Sequence, residues 1–227
     1  FRCNHIGRLG EYAEQAAAQG LFSLIVANAN LGSQWRGPVT PFGGTERLFS
    51  TSPIAYGLPA KDHPPIVVDF ATSIVAEGKL RVARQRGESV PPGWILDRDG
   101  NPTTDPEDFY AGGALLPFGG HKGYSLAFLG ELLGGILSGT GTPAHYGPYL
   151  GNGVWMLAMD ISAFQPLPLF TKEVDLLAER IKQVRPAEGV TEVLVPGEPE
   201  ARTREQRQRE GIYVEEATWE AIVAEAE

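Results

Sequence analysis

The sequence predicts an α/β fold built from many short elements, without the regular strand-helix-strand alternation of a doubly wound sheet. Three observations carry this prediction. An apolar helical repeat over residues 10–19 stops at Gly20 and runs directly into a buried-strand pattern over residues 21–27. Residues 65–70 form a second apolar run rich in β-branched side chains. The 28 glycines and 18 prolines of the 227-residue chain punctuate it so often that its elements must be short and joined by tight turns.

Taken in order, Tyr12, Ala13, Ala16 and Ala17 recur at helical spacing in the first helix. After a Gly/Pro-rich loop over residues 39–44 and the strand at 65–70, Val75, Lys79, Val82 and Arg86 give one face of a second helix that Ser73 can cap. Asp97-Arg-Asp-Gly100 is a turn signal. The longest helix is expected over residues 124–137, with Leu126, Leu129, Leu133 and Ile136 as its core stripe and Gly139 beyond its end. A strand at 154–161, an amphipathic helix at 171–182, a short strand at 192–195 and helices at 200–210 and 215–227 complete the chain. Nothing in the composition divides residues 1–227 into separate domains.

The net charge of -9 argues against a nucleic-acid partner, because phosphate neutralisation needs clustered Lys and Arg. Arg202, Arg204, Arg207 and Arg209 are interleaved with Glu205 and Glu210, as on a solvated helix face. No apolar run reaches the roughly 18 residues of a membrane span, so no membrane partner is expected. Cys3, the only cysteine, permits no internal disulfide and offers no metal pair; a reducing, cytoplasmic setting is the expectation. The abrupt start at Phe1 reads as a cut end.

No Gly-x-Gly-x-x-Gly opens a helix after a strand, and Walker A, His-Glu-x-x-His and Gly-x-Ser-x-Gly motifs are absent. Three positions remain as candidates. His5, just before the first helix, could take a hydroxyl proton as hydride leaves the same carbon, although spacing alone favours a histidine that only hydrogen-bonds in a turn. Lys122 sits in the glycine-rich stretch 117–124 that enters the long helix, where backbone N–H groups, the helix N-terminus and its own charge suit a pyrophosphate; a solvated lysine in a flexible turn is an equal reading. Asp69, at the end of the strand 65–70, could hydrogen-bond a ribose, orient an imidazole, or cap the helix that follows. His63, His121 and His145 read as structural or surface residues.

Four strings then resemble a known family: Asn-His-Ile-Gly-Arg-Leu-Gly-Glu-Tyr at 4–12, Thr-Pro-Phe-Gly-Gly at 40–44, Asp-Phe-Ala-Thr-Ser at 69–73 and Gly-Gly-His-Lys-Gly-Tyr at 119–124. They are similar to the malate/L-lactate dehydrogenases, a family that also contains ureidoglycolate and sulfolactate dehydrogenases. Ala-Glu-Gly-Lys at 76–79, Pro-Thr-Thr-Asp-Pro at 102–106 and Val-Pro-Gly-Glu at 195–198 extend the likeness along the chain.

This resemblance implies a sulfolactate-dehydrogenase-like layered fold whose mixed sheet binds NAD or NADP without a Rossmann fingerprint, and a homodimer. It implies hydride transfer between a small 2-hydroxy acid and its 2-oxo acid, or the related reduction of a cyclic imino acid. By position, His5 becomes the proton acceptor, and Asp69, Phe70, Ala71, Lys122, Gly197 and Glu198 fall where the family holds its cofactor. Arg47 is a further candidate, for the substrate carboxylate. Two positions depart from the family pattern: Ala29 replaces a serine found in some relatives, and Thr51-Ser-Pro53 stands where Thr-Asn-Pro is commoner. Relatives also begin with a helical Ser-His-Gly segment and an arginine for the substrate, which nothing in this sequence matches. The chain by itself is therefore expected to bind cofactor but turn over little substrate.

Overall fold

The first helix, α1 (Leu9–Ala18), presents Leu9, Ala13 and Ala17 to a sheet. Small residues let it lie very close: a Cβ on Gly57 of the sheet would fall 2.6 Å from the carbonyl oxygen of Ala13. A computed structural model describes residues 3–30, 32, 36–146, 150–214 and 216–226. Phe1, and residues 215 and 227 at the ends of the last expected helix, lie outside the described residues.

After α1 the chain forms β1 (Leu21–Asn30), β2 (Ile54–Leu58) and β3 (Ile66–Phe70), and much later β9 (Gly151–Asp160), in the sheet order β3-β2-β1-β9. All three ladders are antiparallel, with Ala55 opposite Asp69, Leu24 opposite Tyr56, and Asn28 opposite Gly153. Ile25, Val26, Ala27 and Asn28 are buried in succession, so β1 is covered on both faces. The strand is three residues longer than its apolar run because Asn28, Ala29 and Asn30 continue the ladder to β9.

Between these strands lie α2 (Glu77–Arg86), β4 (Ile95–Leu96), β5 (Pro102–Thr103), α3 (Pro106–Tyr110), β6 (Ala114–Leu115) and α4 (His121–Gly130). Val39, Phe49, Leu80, Val90, Ile95, Phe109 and Leu115 make one core cluster here, while Leu9, Ala13, Ile25, Ala27, Ala55 and Val67 make another under α1. Burying each large aliphatic of these clusters contributes about 1.5–3 kcal/mol. Asp97 closes the β4-β5 turn as predicted, accepting from Asp99 N and Asn101 N. A π-helix (Glu131–Leu137) continues α4, followed by β7 (Gly141–Thr142), β8 (His145–Tyr146), β9, α5 (Leu167–Lys182), α6 (Glu198–Glu210) and α7 (Glu216–Ala226). Among the described residues no helix is long and apolar enough to cross a membrane.

Four expectations are corrected. Ser73 does not cap α2: the chain is still extended at Ala76 (ψ 143°), and Ser73 Oγ donates to Val75 O. The buried face of α2 is Leu80, while Val82 is exposed. The leucine stripe of 124–137 is not the core face either. Gly123, Ala127, Gly130, Glu131, Gly134 and Gly135 are buried, whereas of the expected stripe Leu126, Leu129 and Leu133 are half-buried and Ile136 is exposed. Close approach is the reason: a Cβ on Gly134 would lie 3.0 Å from Asn28 N and from Gly153 O. Residues 192–195 form no strand, because Val195 N is taken by the Glu198 carboxylate at 3.2 Å and Pro196 has no N–H to give.

Candidate active site

The segment that carries His5 is tied down on both sides. Asn152 of β9 donates from its backbone N to Cys3 O at 2.6 Å and from its side chain to Asn4 O at 3.0 Å. On the other side, Tyr12 OH donates to Ile6 O at 2.9 Å. His5 itself is exposed, and its Nδ1 accepts a hydrogen bond from Gly7 N at 3.0 Å, a turn that Gly7 permits with φ +79°. A neutral imidazole so bound carries its proton on Nε2.

Asp69, half-buried at the end of β3, accepts from Gly10 N at 2.7 Å. It therefore caps α1, a helix 59 positions earlier in the chain and not the one that follows it. Arg8 lies between carboxylates, bonded to Glu14 at 2.7 Å and 4.0 Å from Asp69. Asp69 makes its hydrogen bond to the helix just behind His5, and the ring itself is bonded to Gly7 N.

Phe70 packs edge-on against Phe118, ring centroids 5.3 Å apart. Beyond Ala71, Phe118 N donates to Thr72 O at 3.0 Å, which brings the 117–120 loop and the start of α4 beside the end of β3. Lys122 is exposed in the first turn of that helix, whose N-cap is Gly120 with no side-chain cap and whose first turn holds no acid. Gly119 and Gly120 both take positive φ there, 56° and 62°. The amides of Lys122 and Gly123 are taken by Gly119 O and Phe118 O, so what this end offers an anion is the positive potential of the helix start and the Lys122 charge.

Gly197 approaches from the free edge of β3. Pro196 O accepts from Val67 N at 3.3 Å, and a Cβ on Gly197 would sit 3.0 Å from that same nitrogen, with φ at +91°. Asp69, Phe70 and Gly197, with Val67, Val68 and Pro196, line an open cleft of 370 Å³ along β3. Glu198 turns away into a neighbouring cleft with His63 and Arg202. Its carboxylate is held by Lys182, Arg202 and Val195 N. Burial pushes its pKa up, but those three donors outweigh it and hold the group at about 2.

Arg47 is occupied elsewhere. Its Nε and Nη2 donate to the carbonyls of Gly113 and Phe109, and its guanidinium lies 4.4 Å over the Phe109 ring. Asp69, Phe70 and Gly197 thus line one cleft along β3. The His5 segment is joined to it through Gly10 N and Asp69 and the Lys122 helix through Phe118 N and Thr72 O, while Glu198 turns away and Arg47 lies half-buried beside α3. Ala29 N donates to Ser50 Oγ at 3.3 Å, and Ser52 has φ +35°, the conformation that the asparagine commoner in relatives adopts more readily.

Two buried acids escaped the sequence reasoning. Glu131, which interrupts an apolar run, is 4% exposed. Asp175, inside an amphipathic helix, accepts from the backbone N of Lys61, Asp62 and His63. A charged residue at an apolar helix position was the available signal for both.

The sequence model of the family described as malate/L-lactate dehydrogenase matches residues 1–223. An L-lactate dehydrogenase of Cupriavidus necator is 40% identical over 225 residues, covering 96% of this chain and 63% of the relative. A Delta(1)-pyrroline-2-carboxylate reductase of Agrobacterium fabrum is 44% identical over 150 residues, 66% of this chain and 41% of that protein. The structure of sulfolactate dehydrogenase from Methanocaldococcus jannaschii superposes with a TM-score of 0.79 at 33% identity, covering 94% of this chain and 61% of that one. The chain thus spans about three-fifths of the length of the first and last of these. With the family model matching nearly its whole length, and with the α/β layered fold shared with sulfolactate dehydrogenase, this chain belongs to the malate/L-lactate dehydrogenase family.

Proposed function

We propose that this chain carries the nicotinamide-binding part and the proton-transfer histidine of an oxidoreductase that interconverts a small 2-hydroxy acid and its 2-oxo acid. The observation that carries the reading is the convergence on β3 and the residues that follow it: Asp69 holds the helix behind His5, Thr72 holds the loop before Lys122, and Gly197 lies against Val67. The residues suit a dinucleotide. Gly197 keeps the β3 edge open where a side chain would crowd it, Phe70 offers an apolar wall, and the uncapped start of α4 with Lys122 offers positive charge.

Bound nicotinamide supplies the hydride acceptor for oxidation and the donor for reduction. His5 takes the hydroxyl proton in the first direction and returns it in the second. Its Nδ1 faces the Gly7 N–H, so a ring protonated on Nδ1, as the cation is, has to leave that contact. The bond to Gly7 is thus the resting state of the base, and release from it is part of each proton transfer. In this reading Arg47 supports the fold and the substrate carboxylate is held by other groups.

The likeness to a Delta(1)-pyrroline-2-carboxylate reductase motivates a second reading, reduction of a cyclic imino acid at the same site. Assaying lactate, malate, their oxo acids and a cyclic imino acid against both cofactors in the complete protein separates the two. Turnover of none of them, with cofactor bound, would overturn both.

A further inference from the structure

Glu131 is a buried carboxylate that the proposed chemistry leaves unused. It opens the π-helix, a form often found where a helix must place a particular side chain. Its Oε2 accepts from Asn28 Nδ2 at 3.1 Å and its Oε1 from Ser52 Oγ at 3.4 Å. The elements packed on it bring few titratable groups: none from β1 or β7, Asp160 at the far end of β9, and His121, Lys122 and Tyr124 at the opposite end of α4. Burial accordingly pushes the Glu131 carboxyl up, and the Asn28 and Ser52 bonds oppose it only in part. A buried acid without a counter-charge is costly and persists where its bonds hold something that packing alone does not.

What it holds is Ser52. Among the described residues Ser52 is the one non-glycine residue with positive φ, and it is 1% exposed. Ser50 Oγ and Ser52 Oγ lie 2.9 Å apart, and Ser50 Oγ accepts Ser52 N at 3.2 Å. On the other side, Thr72 Oγ1 donates to Thr51 O and Ser52 O, both at 3.0 Å, and Thr72 N donates to Thr51 O at 2.9 Å. Thr72 directly follows Asp69, Phe70 and Ala71. The helix of Lys122 touches both ends of this link: a Cβ on Gly123 would lie 2.7 Å from Thr72 O, and one on Gly130 would lie 3.3 Å from Ser52 Cβ.

We propose that Glu131 is a positioning residue that locks α4, and with it Lys122, against the Ser52 turn and the end of β3, and so sets the geometry of the cofactor cleft. The hydroxyl network accommodates both of its protonation states. As a carboxylate it accepts the Ser52 proton; as an acid it donates to Ser52 Oγ, whose own proton turns to Ser50 O, 3.4 Å away. The neutral form leaves no charge buried, so the lock is tightest at lower pH and loosens as pH rises through the raised Glu131 ionisation.

The ligand readout of this proposal rests on the nicotinamide-site reading; its structural readout does not. In the complete protein without cofactor, Glu131→Ala should speed hydrogen exchange at the Thr72 and Phe118 amides by about tenfold, with strand amides such as Leu24 unaffected. The same variant should raise the NADH or NADPH Kd in fluorescence titration by about tenfold, with single-turnover hydride transfer at saturating cofactor within about threefold of wild type. Glu131→Gln, neutral and able to bond both Asn28 and Ser52, should restore both readouts to within about twofold and remove the loss of Thr72 protection that wild type shows at higher pH, after correction for intrinsic exchange rates. Unchanged exchange at Thr72 and Phe118 in a folded Ala variant, or a rise shared equally by Leu24, overturns the proposal. If the Ala variant does not fold, the pH profiles decide, and parallel profiles for wild type and Glu131→Gln overturn it. Wild type that binds neither cofactor refutes the functional reading alone, and the exchange data still decide on Glu131.

Discussion

The carboxylate of Asp69, on the last turn of hydrogen bonding in β3, accepts the Gly10 amide of α1 at 2.7 Å and is the cap that α1 lacks locally. Arg8 at the N-cap position makes no side-chain cap bond, so the start of the helix, and the His5 segment before it, depend on a residue from another element.

Asp69→Ala should therefore cost about 0.5–2 kcal/mol in urea unfolding, the usual loss for a missing N-cap. Asp69→Asn keeps an acceptor oxygen and should lose less. In both variants turnover per folded molecule should drop further than stability does, because the His5 segment loses its anchor; normal turnover in a folded Asp69→Ala protein would separate Asp69 from the site.

His5→Asn retains hydrogen-bonding capacity near Gly7 but cannot take a proton near neutrality. Single-turnover hydride transfer should fall by about two to four orders of magnitude, with cofactor binding intact. A rate within a few-fold of wild type would leave His5 as a turn residue only.

Lys122→Ala should weaken NAD(P)H binding far more than it lowers the rate at saturating cofactor. A charge-assisted contact made equally in ground and transition states affects affinity and leaves the barrier alone. Fluorescence titration and single-turnover rates, taken together, give the split, and an unchanged Kd would place Lys122 outside the site.

Glu198 offers a test by pH. Its folded-state pKa of about 2 lies below the ordinary 4.5, so it contributes stability that is complete above pH 4.5 and is lost as pH falls toward 2. Glu198→Gln should flatten the urea midpoint across that window and leave the rest of the curve parallel to wild type. If the variant keeps the wild-type acid limb, the Lys182 and Arg202 contacts carry no stability.

Asp175 holds three consecutive backbone N–H groups at residues 61–63 and is 5% exposed. Burial pushes its pKa up, yet the backbone donors from Asp62, His63 and Lys61 pull it below the usual carboxylate value. Removing the carboxylate with Asp175→Ala leaves those donors without their partner and should cost about 1–3 kcal/mol, read by thermal unfolding.

Much of the architecture was legible from local pattern. The helix of Tyr12, Ala13 and Ala17 and the apolar strand ending in Phe70 fall within one residue of where periodicity put them. The 171–182 amphipathic segment proved to be the last three-quarters of α5, and the motif strings assigned the chain to its family. These properties are written in short windows, because side-chain period, turn chemistry and motif identity depend on neighbours in the chain. Partners were not legible. That Asp69 caps α1, that Arg47 bonds carbonyls beside α3, and that residues 192–195 spend an N–H on Glu198 are outcomes of which elements meet. The long helix shows the reason most clearly. Its leucines carry the larger hydrophobic signal, yet the face that wins burial is Gly130, Glu131, Gly134 and Gly135. Only small side chains let that helix reach the backbone of β1 and β9, and such proximity, as between Asn28 and Glu131, 103 positions apart, is set by three-dimensional packing, which no local sequence pattern encodes.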